Sequence, residues 1–151
     1  LYMEKIIVST AFGHVKIESE MHQITHLDLT QEPLSPESNN PVLNQAANQI
    51  KAYFDGKKVT FNLPLNPAGT PFQRAVWQAL TEIPYGETRS YQDIAIAIGN
   101  PKAVRAVGGA VNKNPIMIVI PCHRVIGKDG SLVGFYGGLE LKQRLLDLEK
   151  R

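Results

Sequence analysis

Cysteine is nearly missing from this chain: Cys122 is the single one among 151 residues. One thiol excludes an internal disulfide and a multi-cysteine zinc site, and it points to a reducing compartment. Also missing is any apolar run approaching the roughly 20 residues that cross a bilayer, and the start has no basic-then-apolar layout of a secretory signal. A soluble, cytoplasmic protein with no membrane partner is expected. The histidines other than His123, which are His14, His22 and His26, have no thiol or carboxylate cluster beside them to complete a ligand set, so no metal site is expected.

Strong charge of one sign is absent too, the net being +2, but the distribution is uneven. Residues 1–98 carry 7 Lys+Arg against 10 Asp+Glu, a balance of −3, whereas residues 99–151 carry 9 against 4, a balance of +5. A basic C-terminal third suits either a solvated surface or one that meets a polyanion. With 43% apolar residues the chain can bury a core, as one domain or two closely packed subdomains.

What is present gathers around the lone thiol. Ile116-Met117-Ile118-Val119-Ile120 reads as a buried strand, and Pro121 ends it because proline has no amide hydrogen to continue a ladder. Cys122 then sits where a rigid element opens into a loop, with His123 and Arg124 adjacent. A thiol becomes a good nucleophile only as the thiolate, and an imidazole or cation nearby lowers its pKa from about 8.5. Buried cysteines are otherwise small inert hydrophobes. The Cys-His dipeptide alone leaves both readings open.

Residues 1–66 read as a supporting unit. Met3 to Ser9, Val15 to Glu20 and Ile24 to Leu29 are β-rich runs with the spacing of an antiparallel meander. Gln31 to Asn40 is a loop by composition. Pro41 leads into a helix through about Phe54, stopped by Gly56, and Val59 to Leu63 is a candidate further strand.

Residues 67–151 carry the motifs. Thr70 caps and Pro71 opens a helix over Phe72 to about Ile83, with Phe72, Val76, Trp77 and Leu80 on one face. Ser90, with Asp93 three residues on, opens another helix, which Gly99 ends. Asn100 and Pro101 then suit the start of a helix from Pro101 to about Asn112, and the pair makes a helix-turn-helix. In its second helix Lys102, Arg105, Gly108, Gly109 and Asn112 face outward. Glycines inside a helix cost roughly 1 kcal/mol each relative to alanine. Their reason is either tight helix contact or a bend on the one hand, or close approach of a ligand such as DNA on the other.

Pro121-Cys122-His123-Arg124-Val125 resembles the active-site signature of the O6-alkylguanine-DNA alkyltransferases, and the likeness runs on to Ile126. It extends over Pro84-Tyr85-Gly86, Ser90-Tyr91, Gly99-Asn100-Pro101, Arg105-Ala106-Val107-Gly108 and Asn114-Pro115, and on through Gly137-Gly138 to Lys142 and Glu149. Most of residues 70–150 is covered, and the N-terminal part matches only loosely. The expected fold is an α/β subdomain at 1–66, a small antiparallel sheet plus helix, packed on a mostly helical subdomain at 67–151 with a winged-helix-like helix-turn-helix.

The resemblance implies DNA repair by irreversible, single-turnover transfer of the alkyl group from O6-alkylguanine in double-stranded DNA to Cys122. It implies no cofactor and a monomer, with O4-alkylthymine open as a second substrate. The helix-turn-helix would lie in the minor groove and the base would be flipped into the protein. Arg105 would fill the space left behind and Tyr91 would crowd the neighbouring phosphate, with Ala106, Gly108, Gly109, Asn112 and Arg124 completing the DNA-facing set. At the reacting centre His123 would be bonded through water to Cys122 and oriented by Glu149, Asn114 would brace the turn behind, and Tyr91 would donate to guanine N3. The backbone at Cys122 and Val125 would accept from the exocyclic amine and the Tyr136 amide would donate to O6, while Pro121, Phe135, Tyr136 and Lys142 line the pocket.

Glu149 shares a helical face with Leu141 and Leu145, so it can point inward, although the end of a helix disfavours a carboxylate. A surface glutamate is the alternative. Phe135-Tyr136 departs from the family's frequent tyrosine followed by alanine or serine, which leaves the accepted alkyl size open. Three rival readings remain: an alkyltransferase-like protein that binds damaged DNA without transfer, a helix-turn-helix regulator, and a thiol hydrolase.

Overall fold

The computed structural model describes residues 3–135 and 137–150. Two compact units emerge, one of positions 1–68 and 115–117, the other of positions 69–114 and 118–151.

In the first unit β1 (Met3–Thr10), β2 (Gly13–Glu20) and β3 (Gln23–Leu29) form an antiparallel sheet in that order. Val15 and Ile17 alternate with polar residues along β2 and stand opposite Val8 and Ile6 on one side and Leu29 and Leu27 on the other. The alternation buries one face, as period-2 patterning demands. Neither edge is left open. Ser35 exchanges hydrogen bonds with Ile7 on β1. On β3, Ile24 bonds Pro64 and Asn66, and Leu27 bonds Pro115 and Met117. The helix α1 (Pro41–Phe54) covers the sheet with Leu43, Ala46, Ala47, Ile50, Tyr53 and Phe54. Its cap, Asn40, accepts from the amides of Val42 and Leu43 while donating to Ser19 Oγ at 3.2 Å, so the buried amide is satisfied on both sides.

Two expected strands are corrected. Residues 59–63 belong to no strand, and it is Leu65 that bridges Ile24, in the parallel sense. The Ile116–Ile120 run is buried throughout but is not one strand. Ile116 makes a single bridge to Leu27, and at Ile118 the backbone turns through φ 75°, an uncommon conformation for a β-branched residue.

The second unit is mostly helical: α2 (Pro71–Thr81), α3 (Tyr91–Ala97), α4 (Val104–Asn112) and α5 (Leu139–Glu149), with a two-residue parallel ladder of β4 (Arg89–Ser90) and β5 (Val125–Ile126). Capping boxes at Thr70/Gln73 and Ser90/Asp93 start α2 and α3. Trp77 on α2 donates its indole N–H to the Ala110 carbonyl of α4 at 2.8 Å, fixing that pair of helices. The helix-turn-helix is α3 and α4, but α4 starts later than expected. Asn100 gives its carbonyl to the Ala103 amide in a turn, and neither it nor any other side chain caps the helix.

Candidate active site around Cys122

Cys122, His123 and Arg124 form a single 3-10 turn rather than the mouth of a strand, and all three are buried, Cys122 to 1% exposure. The Arg124 amide closes the turn on the Pro121 carbonyl at 3.0 Å, and the Cys122 amide bonds Ile120 at 2.8 Å. Behind the turn, buried Asn114 donates its side-chain amide to the Ile120 carbonyl at 2.7 Å. The backbone leading into Cys122 is thus pinned from two directions.

Glu149 does point inward. The last residue of α5, it is 4% exposed, accepts from Arg124 Nε at 2.8 Å, Arg124 Nη2 at 3.1 Å and the Gly86 amide at 3.2 Å, and shares a hydrogen bond of 2.5 Å with His123 Nε2. A buried carboxylate at a helix C-terminus is costly unless paired, and here a guanidinium fork and a backbone amide supply the pairing. Burial pushes the His123 imidazole below its ordinary value. The Glu149 bond and charge oppose that shift, and the Arg124 and Lys142 charges add to it.

Arg124, expected among the DNA-facing residues, is corrected. Its side chain is buried, its third donor goes to the Ile83 carbonyl at 2.8 Å, and its guanidinium lies 5.7 Å from the centre of the Tyr85 ring. A guanidinium so buried and so engaged is not presented to a phosphate. Sequence reasoning missed this role, and with it the part of Gly86. One signal was there: an inward carboxylate in this unit demands a cation, and Arg124 is next to His123.

Lys142 is fully buried, donating to the carbonyls of Val125 at 2.5 Å, Val133 at 3.3 Å and Gly134 at 3.4 Å. Its ammonium lies 5.9 Å from the ring centres of both Tyr91 and Phe135. Burial lowers its pKa, and a negative charge on Cys122 raises it in turn, so ammonium and thiolate attract each other. The Tyr91 hydroxyl, half-buried and with its pKa raised first by burial and then by that same Cys122 charge, donates to Val133 at 2.8 Å. Tyr91 and Lys142 therefore both hold the irregular segment 131–135. Pro121 and Val125 are buried at the turn. Tyr136 lies outside the described residues, and so do the amide and ring roles expected of it.

The helix α4 turns Val107, Ala110 and Val111 inward and leaves Arg105, Ala106, Gly109 and Asn112 exposed. A Cβ on Gly109 would meet nothing within 4 Å, and one on Gly108 would touch only the Tyr91 ring at 3.9 Å, an ordinary contact. Tight helix contact is thereby removed as the reason for these two glycines.

Among the described residues no cluster of metal-ligating side chains occurs and no helix is long and apolar enough to cross a membrane.

Comparison with known proteins agrees with this architecture. Residues 3–67 match the ribonuclease-like domain and residues 71–151 the DNA-binding domain of 6-O-methylguanine DNA methyltransferase. The chain is 47% identical over 150 residues to a methylated-DNA–protein-cysteine methyltransferase of Methanosarcina barkeri, covering 95% of both chains. It is 48% identical over 151 residues to the constitutive enzyme of that name from Bacillus subtilis, covering 93% of this chain and 92% of that one. Among solved structures, the Mycobacterium tuberculosis OGT in complex with DNA superposes with a TM-score of 0.86 at 42% identity, covering 95% of this chain and 91% of the other. The chain belongs to the 6-O-methylguanine DNA methyltransferase family.

Proposed function

We propose that this protein repairs DNA by moving the alkyl group from O6 of guanine in a duplex to Cys122, once per molecule. One observation carries the reading: the only thiol of the chain sits in a buried turn whose next side chain, His123, is engaged by a buried carboxylate. Adjacent thiol and imidazole, with a carboxylate bonded to the imidazole, support a nucleophile, base and orienting group of the kind that activates a weak nucleophile. A helix-turn-helix regulator has no use for such a buried network, and an alkyltransferase-like protein has none for the sulfur.

The reacting carbon cannot meet a protein sulfur inside a stacked duplex, so the base is flipped out at a cost of a few kcal/mol, least for a damaged pair. The bare glycine face of α4 lets its backbone approach the minor groove, and exposed Arg105 takes the place of the extruded base. Ala106 and Asn112 complete that face. His123, through a water, takes the Cys122 proton. The thiolate attacks the alkyl carbon in line, a carbon–sulfur bond forms, the carbon–O6 bond breaks, and the purine leaves with the electron pair and takes up a proton in its place. Lys142 favours the thiolate electrostatically, and the Val125 and Cys122 carbonyls, each with a second lone pair, accept from the exocyclic amine. The product is a thioether, which no group here can reverse.

Cys122 is 1% exposed, so admission of the base requires its surroundings to yield. The Tyr91 hydroxyl has one proton, and donation to guanine N3 requires it to release the Val133 carbonyl. Arg105→Ala tests the flipping step: repair of O6-methylguanine in duplex DNA slows by roughly tenfold, while alkylation by the free modified base keeps its rate. Equal losses with both substrates would refute the flipping role.

A further inference from the structure

Arg124 is the one charged side chain of the signature turn for which the reading above has no work, yet it is buried and makes three hydrogen bonds with its guanidinium, two of them to Glu149. Consider Glu149 without it. A buried carboxylate with only an imidazole and one amide beside it is driven toward its neutral, protonated form. A protonated Glu149 donates to His123 Nε2, the ring proton then resides on Nδ1, and no lone pair remains to take the thiol proton. A guanidinium gripping both oxygens prevents this, because an ionised carboxylate can only accept.

We propose that Arg124 is a positioning residue for the transfer: by holding Glu149 as an acceptor through both oxygens, it fixes His123 as the Nε2–H tautomer and leaves Nδ1 as the proton acceptor for Cys122. This rests on the alkyl-transfer reading of Cys122. The charged groups that act on the imidazole are Glu149 and Lys142 from α5 and Arg124 from its own turn, in which Cys122 is the preceding residue. The helix α2, which also contacts this turn, carries one charged side chain, Arg74, and that is exposed. Removing the Arg124 charge therefore raises the pH at which His123 takes a proton, and it also takes away the cation that grips both oxygens of ionised Glu149. Both losses act in one direction, and the active form is lost below a higher pH than in the parent protein.

The test uses the free base O6-methylguanine, which bypasses DNA binding, and follows methylation of Cys122 by mass against pH. Arg124→Met slows the reaction at neutral pH by roughly a hundredfold, the lower end of what a positioned general base contributes, and moves the acid limb of the profile upward. Arg124→Lys keeps the charge but not the fork. It keeps the limb in place and recovers part of the rate. In the unaltered protein, imidazole nitrogen-15 shifts report the Nε2–H tautomer at neutral pH. An Nδ1–H tautomer overturns the proposal, as does an Arg124→Met protein with the parent's rate and profile, or one that loses only DNA affinity. Should Arg124→Met not fold, the tautomer and the Arg124→Lys profile decide. If the parent protein is never methylated at Cys122, the transfer reading fails, and the tautomer still decides the role of Arg124.

Discussion

The two units bury different kinds of polar group. In the first, the buried polar side chains are Ser19, Thr25 and Asn40, all neutral; in the second they are Asn114, His123, Arg124, Lys142 and Glu149, four of them ionisable. The first unit keeps its charges outside, as in the Lys5–Glu32 and Lys16–Glu32 pairs. Desolvating charge costs several kcal/mol per ion and adds little to stability over an apolar alternative. Such burial is concentrated where chemistry needs fixed protonation states. The first unit buries only neutral polar groups, and the second sacrifices some stability to bury an imidazole, a carboxylate and two cations beside a thiol.

This contrast can be broken by removing one carboxylate from each unit. Glu149→Ala strands the Arg124 charge in the interior and destabilises the protein by about 3–5 kcal/mol in urea unfolding. Glu32→Ala removes both surface pairs and leaves the unfolding midpoint almost where it was. Equal losses would mean that the charges of the second unit are not specially placed. The glycines sharpen the comparison from the other side. Since nothing in the fold meets a Cβ at Gly109, Gly109→Ala stabilises the protein by about 0.5–1 kcal/mol while weakening duplex DNA binding in a salt-titrated assay. A destabilised variant, or one that binds DNA as before, would show that the bare helix face serves no external partner.

Legibility in the sequence followed how local each cause was. The caps and breakers Thr70-Pro71, Ser90 with Asp93, Pro41 and Gly56 act within one turn of chain, and the helices they bound could be read from them. Strand pairing is nonlocal. Val59 to Leu63 reads as a candidate strand, but it is Leu65 that bridges β3, and no local signal says so. The Ile116–Ile120 run reports burial without conformation, and the turn at Ile118 was invisible. Asn100 has the side chain of a cap, yet its carbonyl closes a turn to the Ala103 amide and no side chain caps α4. At the site, adjacency picks out Cys122 and His123 and helical spacing allows an inward Glu149, but both leave the inert-thiol and surface-glutamate alternatives open, and only the family resemblance chooses between them. Arg124 was not legible, because an arginine beside an active site is as suited to phosphate as to a buried carboxylate, and only the three-dimensional partner distinguishes them.

The most direct test of the central claim is the intact mass of the protein after incubation with a duplex carrying O6-methylguanine, followed by peptide mapping. The account predicts one added methyl group per molecule, on the peptide that holds Cys122, and none in Cys122→Ser. A methyl group on another residue, or more guanines restored than protein molecules present, would contradict it.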